Sequence, residues 1–525
     1  MPQARCDPGV KTPRAFWLVV LVAVVLLAAQ GVRLANRMVP WTDESAYVHL
    51  GYLVVHDRVS LFQDELTGSR MPLPFWIIGV SQIVAGRSLL AARITSLALA
   101  VVAVILTALV ARRLGGPTAG ALAALLLATN GVLVGYLSAG VYHSIAAVIL
   151  LSGLLVIVGV RPPAGNIIGM AVLSLLFLTR TNLWPIIPGV CAMLLWTARG
   201  SRERLALLVA AGWAPAVFFA TDMRHLKVLA YVPLLNRAVV PLGYPRGWEL
   251  VDIHAPTSFD RIWAFVRFAR MHEFWTIAAA FLVIVMAARF LRQRRQALEM
   301  NSSVLALVGL IVYIAAWQVL VLWSFPKAFV AFFPSWAPIV AIVLGVGFGS
   351  VLHQSLDRRA LRLASIAVLV VCCVGPTLII RHPLLPSGAD ADALPLRDLN
   401  TAAEHLRRLI PRDAKVFLWG DSLPVYLADR TPYLRQIHSV YTFSIVDNPQ
   451  LVEKSGMWGR REMQLWLGTD ADYALLEPTI VDEYRARWPA RVQELQALLD
   501  RNFRLVDRVQ DFRWMVFDVY ERRRN

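Results

Sequence analysis

Apolar stretches of about 20 residues recur along most of this chain, and that is the length a helix needs to cross the hydrocarbon core of a membrane. Candidate spans run over 15–35, 88–110, 118–137, 142–160, 164–179, 183–198, 204–222, 274–291, 302–323, 328–350 and 361–380. The pattern predicts a polytopic α-helical membrane protein with about eleven transmembrane helices. Composition agrees. The 525 residues are 57% hydrophobic and 17% charged, where soluble domains are about 45–50% and about 25%. Disordered chains, disulfide scaffolds, fibrous repeats and ordinary cytosolic enzymes are excluded on those numbers. A cleaved signal peptide is the competing reading of 15–35, because Lys11 and Arg14 precede it and Ala28-Ala29 resembles a cleavage site. The length of the stretch favours a span.

The formal net charge is +17. Such a charge invites nucleic acid as a partner, but the cations are not gathered in one polar module. They sit in short clusters between apolar stretches: Arg112 and Arg113; Arg161; Arg199, Arg202 and Arg204; Arg289, Arg292, Arg294 and Arg295; Arg358, Arg359 and Arg362. With the N-terminus inside, every one of these clusters falls in a cytoplasmic loop, as the positive-inside rule requires. The partners implied are membrane lipids, and no nucleic acid. This register predicts a cell inner (plasma) membrane protein. It makes 36–87 and 223–273 outer loops, 324–328 a short outer stretch, and everything after 380 extracytoplasmic (periplasmic). The four cysteines, Cys6, Cys191, Cys372 and Cys373, have no metal-like spacing and read as packing residues.

Within the outer loops, Pro72-Leu73-Pro74-Phe75-Trp76 is apolar but short for a span, and reads as an interfacial or re-entrant helix. The stretch 261–270 alternates basic and aromatic residues at helical spacing. It reads either as a helix lying in the membrane interface or as a loop helix packed on the protein. The division expected is a transmembrane catalytic domain over 1–380 and an extracytoplasmic α/β domain over 381–525. In the latter, 398–410 is an amphipathic helix, and 414–419, 472–476 and 514–520 are strand candidates. No glycine-rich nucleotide motif is present.

One motif stands out. Trp41-Thr42-Asp43-Glu44-Ser45-Ala46-Tyr47 follows the first span directly on the outer side. Two adjacent carboxylates so near a bilayer are costly to bury and need a reason. Capping of a helix by Thr42 or Asp43 is one reason, and catalysis is the other. Further on come Ser69-Arg70-Met71-Pro72 and then Ala92-Arg93-Ile94-Thr95-Ser96. Late in the membrane part comes Lys327-Ala328-Phe329-Val330-Ala331-Phe332-Phe333-Pro334-Ser335-Trp336-Ala337-Pro338. The tail carries Val416-Phe417-Leu418-Trp419-Gly420-Asp421 with Tyr426 and Arg430.

On these motifs the chain resembles the GT-C glycosyltransferases, most closely the protein O-mannosyltransferase and aminoarabinose transferase group, glycosyltransferase family 39. The resemblance implies a GT-C-like fold and transfer of a hexosyl or pentosyl group from a polyprenyl-phosphate-linked sugar donor to an acceptor hydroxyl on a glycan, lipid or protein. It implies Asp43 as the catalytic carboxylate and Glu44 as its partner, with Arg70 and Lys327 as contacts to the donor phosphate. Tyr47, His143 and Arg180 are further candidates. For Arg70 and Lys327 the alternative is snorkelling at the membrane interface; for His143 it is a polar helix cap. The turn 138–144 lacks the second acid that many GT-C proteins carry there, which weakens the case for a divalent metal without removing it. No cofactor is required by the motifs. Two other function classes compete: a transporter or lipid flippase, and a catalytically silent GT-C-like scaffold. No internal repeat supports the former, and Asp43, Glu44 and Arg70 together argue against the latter.

Overall fold

The computed structural model describes residues 14–62, 71–232, 235, 237, 258–292, 302–322, 332–354, 359–378, 382–387, 390–437, 443–444, 448, 450, 452 and 457–523. Arg70 and Lys327 lie outside them. In chain order the helices are α1 (Arg14–Arg37), α2 (Thr42–Val55), α3 (Pro72–Ala85), α4 (Leu89–Thr129), α5 (Gly131–Ser138), α6 (His143–Gly159), α7 (Ala164–Ser174), α8 (Ile186–Thr197), α9 (Ser201–Thr221), α10 (Ser258–Met271), α11 (Glu273–Arg292), α12 (Ser302–Leu322), α13 (Ala337–Gln354) and α14 (Arg359–Leu378). The protein is a mostly helical, multi-pass membrane protein. Among the described residues, five helices are long and apolar enough to cross a membrane, and seven if each of two bent pairs is one span. Shorter apolar helices accompany them at Pro72–Ala85, Ala164–Leu178, Thr181–Thr197 and Ala337–His353.

The chain divides into two compact units. The first comprises 1–35, 96–217 and 255–383; the second comprises 36–95, 218–254 and 384–525.

In the first unit α1, α6, α9, α11, α12 and α14 begin and end close to expected spans, but others differ: the helix in 328–350 begins only at Ala337, after a turn at Phe333–Ser335, and 88–110 continues to Thr129. The stretch 118–137 is not one helix: α4 ends at Thr129, and the Asn130 side chain accepts a hydrogen bond from Leu133 N at 3.2 Å to start α5. A local cap of this kind restarts a helix without any change in hydropathy. α5 and α6 then meet at 102°. α4 is kinked at Gly116, whose φ of 85° lies in the left-handed region just before Pro117. α10 and α11 meet at 85°, and α10 leaves Phe259, Ile262, Trp263 and Val266 exposed.

In the second unit, α2 packs against α3 with backbones almost touching. A Cβ on Gly79 would lie 2.2 Å from Gly51 O, and one on Gly51 would lie 2.7 Å from Phe75 O. Small residues let two helix axes approach this closely. The C-terminal part of the unit holds α15 (Pro395–Leu409), α16 (Leu423–Leu427), α17 (Arg460–Leu465), α18 (Pro478–Arg487) and α19 (Pro489–Asn502). Its strands are β1 (Val416–Trp419), β2 (Tyr473–Leu476), β3 (Phe503–Val509) and β4 (Phe517–Arg522), in the order β1-β2-β4-β3. β1 runs parallel to β2, and β4 is antiparallel to both its neighbours. Phe417, Trp419, Phe443 and Trp458 fill the core beside the sheet, with Leu495, Leu499 and Phe503. The amphipathic helix expected over 398–410 is α15, and the three expected strands are β1, β2 and β4. β3 adds a fourth.

Candidate active site

α2 begins where the chain leaves the extended conformation of Trp41 (φ −96°, ψ 142°). Its first turn carries both acids, where a helix N-terminus favours negative charge. The capping group is neither Thr42 nor Asp43. Glu44 reaches back instead, and Glu44 Oε2 accepts a hydrogen bond from Trp41 N at 3.1 Å. The same carboxylate is gripped by a guanidinium 49 residues away. Arg93 Nε donates to Glu44 Oε1 at 2.9 Å and Arg93 Nη2 to Glu44 Oε2 at 2.7 Å. Arg93 Nη1 also donates to Met38 O at 3.0 Å. Both side chains are fully buried. A two-point grip of this kind matches the planar fork of an arginine, and a lysine cannot copy it.

Glu44 is thereby committed to holding the start of α2. Asp43, about 100° away around the helix axis, retains 9% exposure while Glu44 has none. Both acids are buried, Asp43 slightly less completely than Glu44. Tyr47, one turn on, is buried with its ring 4.8 Å from that of Phe75.

The second unit brings together, at α2, Asp421 and Tyr426 of the tail motif with His49 and Glu477, which no motif marked. His49 is fully buried, its ring 4.9 Å from that of Tyr426. Burial, then the nearby charges of Arg87 and Arg58, push its pKa down to about 3, so it is neutral at physiological pH. Asp421, just after β1, is also buried; its pKa is pushed up to about 6, first by burial and further by the Glu44 charge, against the nearby Ser45 hydroxyl and the hydrogen bond from Leu423 N. Glu477, at the end of β2, is pushed up to about 7 by burial and by Asp421. Two carboxyls raised together mark an acid pair that resists ionising. Arg93 had a signal in the sequence, since an arginine at the start of an apolar stretch needs a partner. Asp421 stood in the quoted tail motif without an assigned role, and Glu477 had no signal.

The other two candidates lie in the first unit. His143 opens α6, fully buried, with Nδ1 2.9 Å from Ser335 Oγ and its ring 4.3 Å from that of Tyr142. Arg180 sits in an extended break between short helical turns, 8% exposed. Its guanidinium lies over the rings of Tyr142, at 4.7 Å, and Phe332, at 5.6 Å. His143 and Arg180 are thus gathered around Tyr142 and the Phe332–Ser335 segment. Among the described residues, no group of three or more His, Cys, Asp or Glu side chains could hold a metal ion.

No model of a known protein family matches the sequence, and no curated protein matches it. Solved structures do match. The oligosaccharyltransferase of Archaeoglobus fulgidus, tethered to an acceptor peptide, aligns over 97% of this chain and 74% of its own, with TM-score 0.51 and 15% identity. Its apo form aligns over 90% of this chain and 71% of its own, with TM-score 0.50 and 14% identity. The chain shares the fold of these oligosaccharyltransferase structures. The ArnT protein of Cupriavidus metallidurans bound to undecaprenyl phosphate also matches, over 96% of this chain and 97% of its own, with TM-score 0.46 and 13% identity.

Proposed function

We propose that this protein is an integral-membrane glycosyltransferase that moves a sugar from a polyprenyl-phosphate donor to an acceptor hydroxyl on the outer face of the inner membrane. The observation that carries the reading is the Arg93–Glu44 clamp, which spends one acid of the pair on architecture and fixes the helix start that carries Asp43. A fold shared with membrane glycosyltransferases and the first-loop motif support it.

In the reaction, Asp43 is the general base. It accepts the proton of the acceptor hydroxyl as that oxygen attacks the anomeric carbon. The bond between the anomeric carbon and the phosphate oxygen breaks through an oxocarbenium-like state, and the lipid phosphate leaves with the bonding electrons. Its charge must be met by cations, because it develops beside a low-dielectric membrane. Arg70 and Lys327 are proposed for that task. Glu44 and Arg93 touch no substrate; they hold α2. The sheet domain lies on the outer side.

The test uses purified protein in nanodiscs with undecaprenyl-phosphate pentoses and hexoses labelled in the sugar, and a membrane extract as acceptor. Wild type transfers label from at least one donor, and Asp43→Asn does not. A transporter or a scaffold consumes none of them, and that result removes the proposal.

A further inference from the structure

The function just proposed leaves the sheet domain without a task, and the contacts within the second unit point to one. The turn between β1 and α16 is built tightly. Gly420 admits no side chain, since a Cβ there would lie 2.7 Å from the Phe517 ring and 2.9 Å from Glu477 Cβ. The next residue, Asp421, is held from its own side at two points. Its N–H donates to Glu477 Oε2 at 3.1 Å, and its Oδ1 accepts from Leu423 N at 2.9 Å. The remaining oxygen, Oδ2, is buried without a hydrogen-bond partner, and so is the hydroxyl of Ser45, which lies near enough to the Asp421 carboxyl to favour its ionised form. Ser45 follows Glu44 directly and stands two residues from Asp43.

One helical turn further, the same domain touches α2 again, where Tyr426 on α16 stacks near His49. α16 is itself latched to the end of α3 and the loop beyond it. Tyr426 Oη donates to Gln82 Oε1 at 3.3 Å, Arg87 Nη1 donates to Tyr426 O at 3.1 Å, and Arg87 Nη2 pairs with Asp429 at 2.6 Å. Contacts at residues 45 and 49 lie on one face of α2. They fix its rotation about its own axis, and rotation decides where the Asp43 carboxylate sits. A seam serving stability alone would do better with apolar groups, because buried polar atoms left without partners cost free energy. Here Asp421, Ser45, Ser422 and His49 are all polar and buried.

We propose that Asp421 is a positioning residue for the Asp43–Glu44 helix, acting through Ser45, so that the sheet domain sets the geometry of the catalytic carboxylate. The inference rests on the glycosyltransferase reading. A misplacement of about 1 Å costs on the order of 10²-fold in rate, and that is the size of effect to look for.

The experiment takes the full-length protein, the labelled undecaprenyl-phosphate sugar that wild type consumes, and membrane extract as acceptor. Turnover is expressed per folded molecule. Asp421→Ala is expected to lower kcat by about 10²-fold with KM for donor and for extract unchanged. Asp421→Asn retains a polar group near Ser45 and recovers most of the loss. Ser45→Ala, a small change that probes the contact from the other side even where Asp421→Ala does not fold, lowers kcat in the same sense. The Ser45→Ala/Asp421→Ala pair is no worse than Asp421→Ala alone. Wild-type kcat in folded Ser45→Ala or Asp421→Ala overturns the proposal. So does a raised KM for the extract, which would place Asp421 on the acceptor. Asp43→Asn is run beside them. If it keeps full turnover, the functional reading itself fails and the inference falls with it; if it is dead while Ser45→Ala and Asp421→Ala are unimpaired, only the inference falls.

Discussion

Breaking the Glu44–Arg93 pair is the sharpest perturbation available at this site. The two groups meet at 2.7 and 2.9 Å and neither is exposed. At an effective dielectric of about 20, unit charges about 4 Å apart attract by about 4 kcal/mol. Removing one partner strands the other charge in the interior, which costs about 3–5 kcal/mol. Arg93→Met is therefore expected to destabilise the protein by that amount, and Arg93→Lys to recover little of it, because a point charge cannot grip both oxygens. Glu44→Gln keeps an oxygen for Trp41 N but strands the guanidinium, so it also destabilises. The double variant Glu44→Gln/Arg93→Met buries no charge and should be more stable than the two single losses predict, by about 0.5–3 kcal/mol. Tryptophan fluorescence melts in detergent rank the four proteins. Unfolding half-lives at a fixed temperature check the order where melting is irreversible. An Arg93→Met protein that melts with wild type, or losses that simply add in the double variant, would refute the clamp.

Asp43→Asn keeps its size, leaves the Glu44 cap intact and removes the proton acceptor; turnover should fall about 10²–10⁴-fold with the melt unchanged, and a helix-terminus role alone would give the reverse pattern. Arg70→Ala should weaken donor binding and slow transfer, with partial recovery in Arg70→Lys and a smaller effect at Lys327; equal donor affinity in a labelled undecaprenyl-phosphate binding assay speaks for snorkelling. The raised carboxyls of Asp421 and Glu477 bind protons more tightly in the folded protein than in the unfolded chain. Their contribution to stability is therefore fully present at about pH 4 and is lost as pH rises toward 7. Melts of the full-length protein across that range should show the fall, and Asp421→Asn or Glu477→Gln should flatten it. A cysteine placed at Ser387 should react with an impermeant thiol reagent in intact cells; labelling only after permeabilisation would reverse the topology.

The spans were legible because a run of about 20 apolar residues is a local property with one cheap solution in lipid, a helix that satisfies its own backbone. Hence α6, α7, α9, α12 and α14 start and stop near the places hydropathy marks. The break at Asn130 was not legible, because the residues on either side are equally apolar and the cap is one hydrogen bond. β3, in a charged segment where only the end residues Phe503 and Val509 are buried, has no strict alternation to read; its place follows from pairing with β4. The Asp43-Glu44 pair was visible as two acids where acids are costly, but their division of labour was not. That division depends on Arg93, 49 residues along the chain. Composition and periodicity report what a residue does for its own helix or strand. Which of two neighbouring carboxylates is clamped is decided by groups that only folding brings within hydrogen-bond distance.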